Sequence, residues 1–147
     1  VALSNAVKKP LQVMWTREAD VRSGRFYRLG ANYLRIGYAD AGKLLAMHHR
    51  KACDQVYAFQ DPVGFAQQGK KDRVSYTGIE FKHYDMPNRL AEVCVQDSGI
   101  RGSSLRAVSH LSNIFAIESV LDDIARQQNL DPVGYRIALI GDASRSR

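Results

Sequence analysis

The segment from residue 100 to residue 125 constrains the fold most, because a polar, Gly/Ser-rich loop runs directly into an amphipathic stretch. Apolar residues recur in that stretch at three- and four-residue steps, namely Ile114, Ile117, Val120, Leu121 and Ile124. This spacing places them on one face of a helix. Ser112 or Asn113 is the predicted cap, since its side chain can accept a hydrogen bond from a free backbone N–H group. The loop and the helix start are therefore predicted to form one unit.

The loop before this helix carries two arginines, Arg101 and Arg106, among small residues that let a backbone approach a ligand closely. A helix start also attracts anions, because its backbone N–H groups and its dipole favour negative charge. The loop is thus a candidate cradle for a phosphate or an oxyanion. A simple connection is the competing interpretation, since most Gly/Ser-rich loops before a helix have no ligand.

The residues of this region carry a resemblance. Residues 105–108, followed by 115–119 and 122–125, resemble the middle of the molybdopterin-binding large subunit of the xanthine dehydrogenase and aldehyde oxidase family. The similarity is strongest to the isoquinoline 1-oxidoreductase beta-subunit branch. Further pieces resemble the same branch in the same order, namely residues 13–18, 46–50, 84–88 and 131–136. The resemblance therefore spans nearly the whole chain.

The resemblance implies a cofactor and a reaction. Members of the family bind molybdenum through the dithiolene of a pterin, in this branch the cytosine dinucleotide form. They hydroxylate a carbon of an N-heterocycle or an aldehyde with oxygen from water, and electrons leave through [2Fe-2S] clusters on a small partner subunit. The matching loop presents its backbone and side chains to the molybdenum ligands, which assigns cofactor binding to Leu105, Arg106, Ala107 and Val108.

The chain departs from the family pattern at three places. The xanthine-oxidising branch has a Phe-Gly-Gly run after the arginine, whereas this chain has Val108-Ser109-His110, so xanthine is not the expected substrate. A Gly-rich loop and a catalytic glutamate of the family have no counterpart, and Glu118 is interpreted as a structural acid that suits a helix start. The chain also begins at Val1 in what reads as mid-helix sequence. We therefore expect an internal portion of a molybdopterin-binding domain that is inactive by itself and needs the remainder of the large subunit.

Charge suggests a different partner. The net charge is +6, and residues 1–51 hold ten Lys or Arg residues against three acidic ones. A basic module that binds nucleic acid remains an alternative, since Lys and Arg neutralise phosphates. No nucleic-acid motif is present, so a solvated face or a face that meets another part of a larger protein is favoured. A structural or interaction domain without chemistry is the third hypothesis.

Length and hydropathy are those of one domain covering residues 1–147, long enough to bury roughly 68–70% of its unfolded surface. No apolar run approaches the ~20 residues of a membrane-spanning helix. The sequence leaves the location open between the bacterial cytoplasm and the periplasm.

The first third of the chain predicts a helix, a strand and a hairpin. The helix covers residues 1–7 and ends before Pro10, since proline disfavours helix in the residue before it. Leu11, Val13 and Trp15 recur at every second position, the pattern of a half-buried strand. Residues 31–38 and 43–51 are strand-like runs separated by a short Gly-containing loop, which predicts a β-hairpin.

The remaining elements complete the predicted fold class. They are an irregular loop over residues 54–71, short strands over 74–81 and 91–96 around a turn at 84–88, a helix from Asp131-Pro132 to residue 140, and a frayed end over 141–147. Strict alternation of strands and helices is missing. We therefore predict an α+β fold with a mostly antiparallel sheet, a β-hairpin and packed C-terminal helices.

Histidine and cysteine give no metal motif. His48 and His49 are adjacent in a predicted strand, so they point to opposite faces and are interpreted as structural. Cys53 and Cys94 lack the spacing of a metal site and are expected to be free, buried thiols. His83 and His110 receive no role.

Overall fold

The computed structural model describes residues 1–80, 83–103 and 105–140. Within those residues the chain forms six α-helices and three strands. In chain order they are α1 (Ala2–Val7), α2 (Arg17–Ser23), β1 (Gly30–Tyr38), β2 (Leu44–Asp54), α3 (Tyr57–Gln60), α4 (Pro62–Gln67), β3 (Asn88–Gln96), α5 (His110–Gln127) and α6 (Pro132–Leu139). The α+β prediction is confirmed.

The three strands form one sheet with β2 in the centre. Strands β1 and β2 are antiparallel and are joined through a 3-10 turn at Asp40–Gly42, which confirms the predicted hairpin. Strand β3 pairs with the other side of β2 in a parallel direction, so the sheet is mixed. Parallel neighbours need a long crossover, and the segment between β2 and β3 supplies more than 30 residues. Alternation in a sequence shows which residues share a face, but not the direction in which a strand pairs.

Helix α5 packs its apolar face against one side of the sheet. Ile117 and Leu121 are fully buried and Ile124 nearly so, as the helical spacing predicts. They share a core with Ala125 of the same helix and with residues from β2, from the segment before β3 and from α6, namely Leu44, Met47, Tyr84, Met86, Tyr135 and Leu139. The Tyr135 hydroxyl also donates a 2.6 Å hydrogen bond to the carbonyl of Gly42, which joins α6 to the hairpin turn.

The predicted cap of α5 is wrong. The helix begins at His110, so Ser112 and Asn113 lie inside its first turns rather than before them. The capping position belongs to Ser109, whose side chain makes no capping hydrogen bond. By contrast, α6 begins as predicted, with the Asp131 carboxylate accepting a 2.6 Å hydrogen bond from the Gly134 N–H group.

Two predicted strands are absent from the described residues. Residues 11–15 have no regular structure and are exposed on both sides, because no other described strand offers them backbone partners. Residues 73–76 form a 3-10 turn that buries Ser75, instead of the start of a strand over 74–81. The end of that predicted strand at Phe81, and the predicted frayed end over 141–147, lie outside the described residues.

The predicted irregular loop over residues 54–71 is wrong in part, because it contains α3 and α4. Asp61 caps α4 and Pro62 occupies its first position, with the Asp61 carboxylate accepting from the Gly64 N–H group at 2.9 Å. This is the same Asp-Pro signature that starts α6. Helix α4 has only six residues, which is less than two turns, so its apolar period is too short to recognise in the sequence.

Candidate functional site

The four residues assigned to cofactor binding form one tight turn that leads into α5. Ala107 and Val108 both have left-handed backbone conformations, with φ of 67° and 46°. The turn is closed by hydrogen bonds from the Val108 N–H group to the Leu105 carbonyl (2.9 Å) and from the His110 N–H group to the Ala107 carbonyl (2.8 Å). A β-branched residue such as valine rarely adopts this conformation, so the surrounding structure must hold it there.

The outer side of this turn, which we call the 105–108 turn, faces solvent. Leu105, Arg106 and Ala107 are exposed, and Val108 is half-buried. The Arg106 guanidinium makes no hydrogen bond or ion pair with any residue that the structure describes. The turn therefore presents a cation and exposed backbone at one point of the surface.

Arg101, the other arginine of the loop, has a structural role. Its guanidinium donates hydrogen bonds to the backbone carbonyls of Arg22 (2.7 Å) and Ser23 (3.4 Å), and it lies 5.8 Å from the centre of the Phe26 ring. These contacts fasten the loop to the end of α2. The guanidinium of Arg101 is therefore engaged with backbone carbonyls of α2 and with the Phe26 ring, in contrast to that of Arg106.

The inner side of the 105–108 turn rests on polar groups from distant parts of the chain. The Tyr27 hydroxyl donates a hydrogen bond to the Val108 carbonyl. The next residue, Ser109, is fully buried, and its hydroxyl donates a 2.6 Å hydrogen bond to the Val74 carbonyl. The same Ser109 oxygen accepts a hydrogen bond from Arg28. The turn is thus anchored from beneath by side chains that the sequence places about 80 residues away.

Lys51 is a second buried cation under the turn. Its side-chain ammonium donates to Asn113 Oδ1 at 2.8 Å, to Ser112 Oγ at 3.0 Å and, more weakly, to Ser109 Oγ at 3.4 Å. Burial, together with the nearby guanidinium of Arg28, lowers the pKa of Lys51 to about 8, against the opposing influence of the acidic groups Cys53 and Asp72. Its environment therefore disfavours the positive charge that its hydrogen bonds require.

Arg28 is buried beside the carboxylate of Asp72, with Nη1 lying 4.0 Å from Oδ2. The Asp72 carboxylate also accepts a 2.5 Å hydrogen bond from the Val56 N–H group. The interpretation of the basic segment as a solvated face is therefore wrong for Arg28 and Lys51. Asp72 balances much of the charge of Arg28, so the positive groups left beneath the 105–108 turn are the ammonium of Lys51 and the start of α5.

The two adjacent histidines lie on opposite faces of β2, as predicted. His48 is partly exposed and its Nε2 lies 2.5 Å from the Glu92 carboxylate. His49 is fully buried, with its Nε2 2.9 Å from Asn32 Oδ1. Burial, and secondarily the charge of Lys51, lowers the pKa of His49 to about 4, so this side chain is neutral near pH 7.

Glu118 has the predicted structural role for a different reason. It lies in the middle of α5, not at its start, and its carboxylate binds Arg136 of α6 at 2.6 Å and the Tyr84 hydroxyl at 3.1 Å. Cys53 and Cys94 are both free, as expected, but only Cys53 is buried. Among the residues that the structure describes, no three potential ligands converge to form a metal site.

The sequence profile of the molybdopterin cofactor-binding domain matches residues 1–138. The chain belongs to this domain family. The resemblance found in the sequence is thereby confirmed. Within residues 1–80, 83–103 and 105–140, no helix of the chain is long and apolar enough to cross a membrane.

Similar proteins are oxidoreductase subunits by name, and one of them is named as a molybdenum-binding subunit. The isoquinoline 1-oxidoreductase subunit beta of Brevundimonas diminuta is 27% identical over 95% of this chain and 18% of its own length. The aldehyde oxidoreductase molybdenum-binding subunit PaoC of Escherichia coli K12 is 26% identical over 91% of this chain and 17% of its own length. The chain thus spans less than a fifth of these relatives.

A solved structure shares the fold. The aldehyde oxidoreductase of Desulfovibrio gigas superimposes with a TM-score of 0.63 over 80% of this chain and 12% of its own chain, at 20% sequence identity. At that identity the likeness concerns the fold alone. It shows that the arrangement of sheet and helices described above occurs within a much larger enzyme.

Proposed function

We propose that this chain is an internal portion of the large subunit of a molybdenum hydroxylase, in which the 105–108 turn contacts the cofactor and the rest of the domain supports that turn. The observation that carries the proposal is the conformation of the 105–108 turn together with its contacts. The turn combines the guanidinium of Arg106, which has no partner among the residues that the structure describes, a left-handed backbone at Ala107 and Val108, and polar hydrogen bonds that hold the inner side of the turn. Strained, exposed segments on a rigid support are typical of binding sites.

The residues present fit an anionic pterin cofactor. Its phosphates are anions, and Arg106 offers a guanidinium that can form two parallel hydrogen bonds to such a group. The buried ammonium of Lys51 adds positive charge beneath the turn, whereas the charge of Arg28 is balanced in part by Asp72. When bound, the molybdenum cofactor supplies the oxidation that introduces a water-derived oxygen into the substrate. In our proposal Leu105, Ala107 and Val108 form the part of the protein surface that contacts the cofactor. The cofactor has the cytosine dinucleotide form.

We further propose that the substrate is an N-heterocycle or an aldehyde and that the partners are the remainder of the large subunit and a [2Fe-2S] small subunit in a bacterial cell. The names of the relatives support the substrate class and the multi-subunit assembly. Exposed apolar side chains near the N-terminus, including Met14 and Trp15 at 81% and 63% exposure, support a covering partner.

The burial of two basic residues argues against the nucleic-acid alternative. Arg28 and Lys51, two of the ten basic residues of the N-terminal third, are buried and hold other protein groups. They are therefore not available to a phosphate backbone. The third hypothesis, a domain without chemistry, is separated from our proposal by the experiment that follows.

The test is the molybdenum content of the assembled enzyme that contains this chain. Arg106→Ala removes the exposed cation of the turn, so we expect less molybdenum per large subunit and lower turnover with quinoline-type or aldehyde substrates. Arg126→Ala is the matched control, because Arg126 is an exposed arginine in the last turn of α5, paired with Asp123 at 3.0 Å. Equal molybdenum content and equal turnover in both variants would refute the assignment of Arg106.

A further inference from the structure

The buried ammonium of Lys51 occupies a costly position for a cation. It lies under the first turns of α5, where the helix dipole is positive and disfavours further positive charge. Burial removes most of its hydration, which costs free energy unless the charge is well paired. The acceptors that it contacts directly are the neutral oxygens of Ser109, Ser112 and Asn113. An arrangement this costly calls for a specific role.

The three acceptors have a regular spacing. Positions 109, 112 and 113 are separated by three and four residues, so they share one face at the start of α5. One ammonium has three N–H donors, and here each of them reaches one of these side chains. Lys51 therefore fixes the position and the rotation of the first turns of the helix through these three side chains. It does not act as a cap, because an ammonium cannot accept hydrogen bonds from the N–H groups of the helix start, and Ser109 makes no capping hydrogen bond either.

Lys51 itself stands on the most firmly held strand of the sheet. Its backbone lies opposite Asn32 of β1 and Val93 of β3, inside both ladders rather than at their ends. A side chain that projects from such an element transmits a fixed position to whatever it binds. Ser109, one of its three acceptors, directly follows Val108, the strained residue of the turn.

We propose that Lys51 is a positioning residue for the cofactor site: from the central strand it holds the start of α5, and through Ser109 it holds the 105–108 turn in its left-handed conformation. The link to the cofactor rests on the proposed function, whereas the link to the turn does not. Lys51 does not touch the cofactor in this proposal. Its effect passes through Ser109, Ser112 and Asn113.

The first experiment uses the chain without cofactor and measures amide hydrogen exchange residue by residue by NMR. Lys51→Met keeps the apolar stem of the side chain but removes its three donors. We expect about tenfold or faster exchange at the Val108 and His110 N–H groups, which close the turn, and unchanged exchange in the core at Leu121. Lys43→Met, at an exposed lysine just before β2, is the control that leaves all these rates unchanged.

Lys51→Arg provides a test of rescue, because it restores a cation and its N–H donors. Exchange at Val108 and His110 should return toward that of the unsubstituted chain. Should Lys51→Met fail to fold, Ser112→Ala removes one of the three acceptors and carries the same test with a smaller expected acceleration. Unchanged exchange at the turn in whichever of these variants folds would overturn the proposal, and so would an equal acceleration at Leu121, which indicates a general loss of stability.

The second experiment measures molybdenum in the assembled enzyme and separates this proposal from the proposed function. Lower molybdenum in both Lys51→Met and Arg106→Ala supports both. A loosened turn with full molybdenum in both variants refutes the cofactor role of the turn but leaves the positioning of the turn by Lys51 intact. Lower molybdenum in Arg106→Ala with full molybdenum in Lys51→Met overturns the role of Lys51 in the cofactor site.

Discussion

Acidification should destabilise the fold through His49. This side chain is fully buried, and its pKa is lowered from 6.5 to about 4 by burial and by the charge of Lys51. Above pH 6.5 it is neutral in both the folded and the unfolded chain and contributes no pH dependence. Between pH 6.5 and pH 4 the unfolded chain binds a proton that the folded chain does not. The free energy of unfolding therefore falls as the pH is lowered through this range.

The size of the effect follows from the displacement of the pKa. A shift from 6.5 to about 4 is about 2.5 pKa units, and each unit corresponds to about 1.4 kcal/mol, so the loss reaches about 3 kcal/mol at pH 4. Small domains have unfolding free energies of about 5–15 kcal/mol. The protonation of this one side chain is thus a substantial part of the total stability.

Urea unfolding between pH 4 and pH 7 measures the effect. His49→Gln keeps a polar group that can reach Asn32 but takes up no proton, so the pH dependence of this variant should be shallower by about 3 kcal/mol over the range. His48→Gln, on the exposed face of the same strand, should keep the part of the slope that belongs to His49. If His49→Gln and the unsubstituted chain have the same slope, His49 takes up its proton in the folded state and the argument fails.

Two further predictions concern the core and the isolated chain. Leu121→Ala should lower the free energy of unfolding by about 2–5 kcal/mol, because Leu121 is fully buried and its loss leaves a cavity; a change below ~0.5 kcal/mol in urea unfolding would contradict this. The chain alone should contain no stoichiometric molybdenum by elemental analysis and should reduce no dye with quinoline-type or aldehyde substrates, because a cofactor held by one loop loses most of its burial. Near-equimolar molybdenum, or turnover above a protein-free control, would contradict the proposal that the chain is one portion of the site.

The sequence predicts elements well where one local signal decides them. Helix α5 is recognised because its apolar residues repeat over several turns, and α6 because Asp131-Pro132 marks its start. The same Asp-Pro signature at Asp61 starts α4, but six residues are too few for a helical period to show. The run Leu11, Val13 and Trp15 has the alternation of a strand, yet a strand forms only where another backbone accepts its hydrogen bonds.

The outer side of the candidate site can be predicted from the sequence, whereas the side that supports it cannot. The resemblance points to the outer side, Leu105 to Val108, and in the structure these residues form a tight turn with a left-handed backbone. The sequence does not reveal the supporting side, because Arg28 and Lys51 count there as part of a solvated basic segment. That count follows the general rule that lysine and arginine are rarely buried.

A signal for Lys51 was nevertheless present in the strand. Residues 47, 49, 51 and 53 alternate with residues 46, 48, 50 and 52, and the first set contains Met47 and Cys53, which are typical of a buried face. Alternation therefore places Lys51 on the inner face of β2, and a lysine there needs oxygen acceptors from whatever covers the sheet. The covering element is α5, whose first turns carry Ser109, Ser112 and Asn113. The polar residues at the start of this otherwise apolar helix face are thus the acceptors for the charge of Lys51 on the opposing strand. In our proposal, these hydrogen bonds hold the 105–108 turn in position.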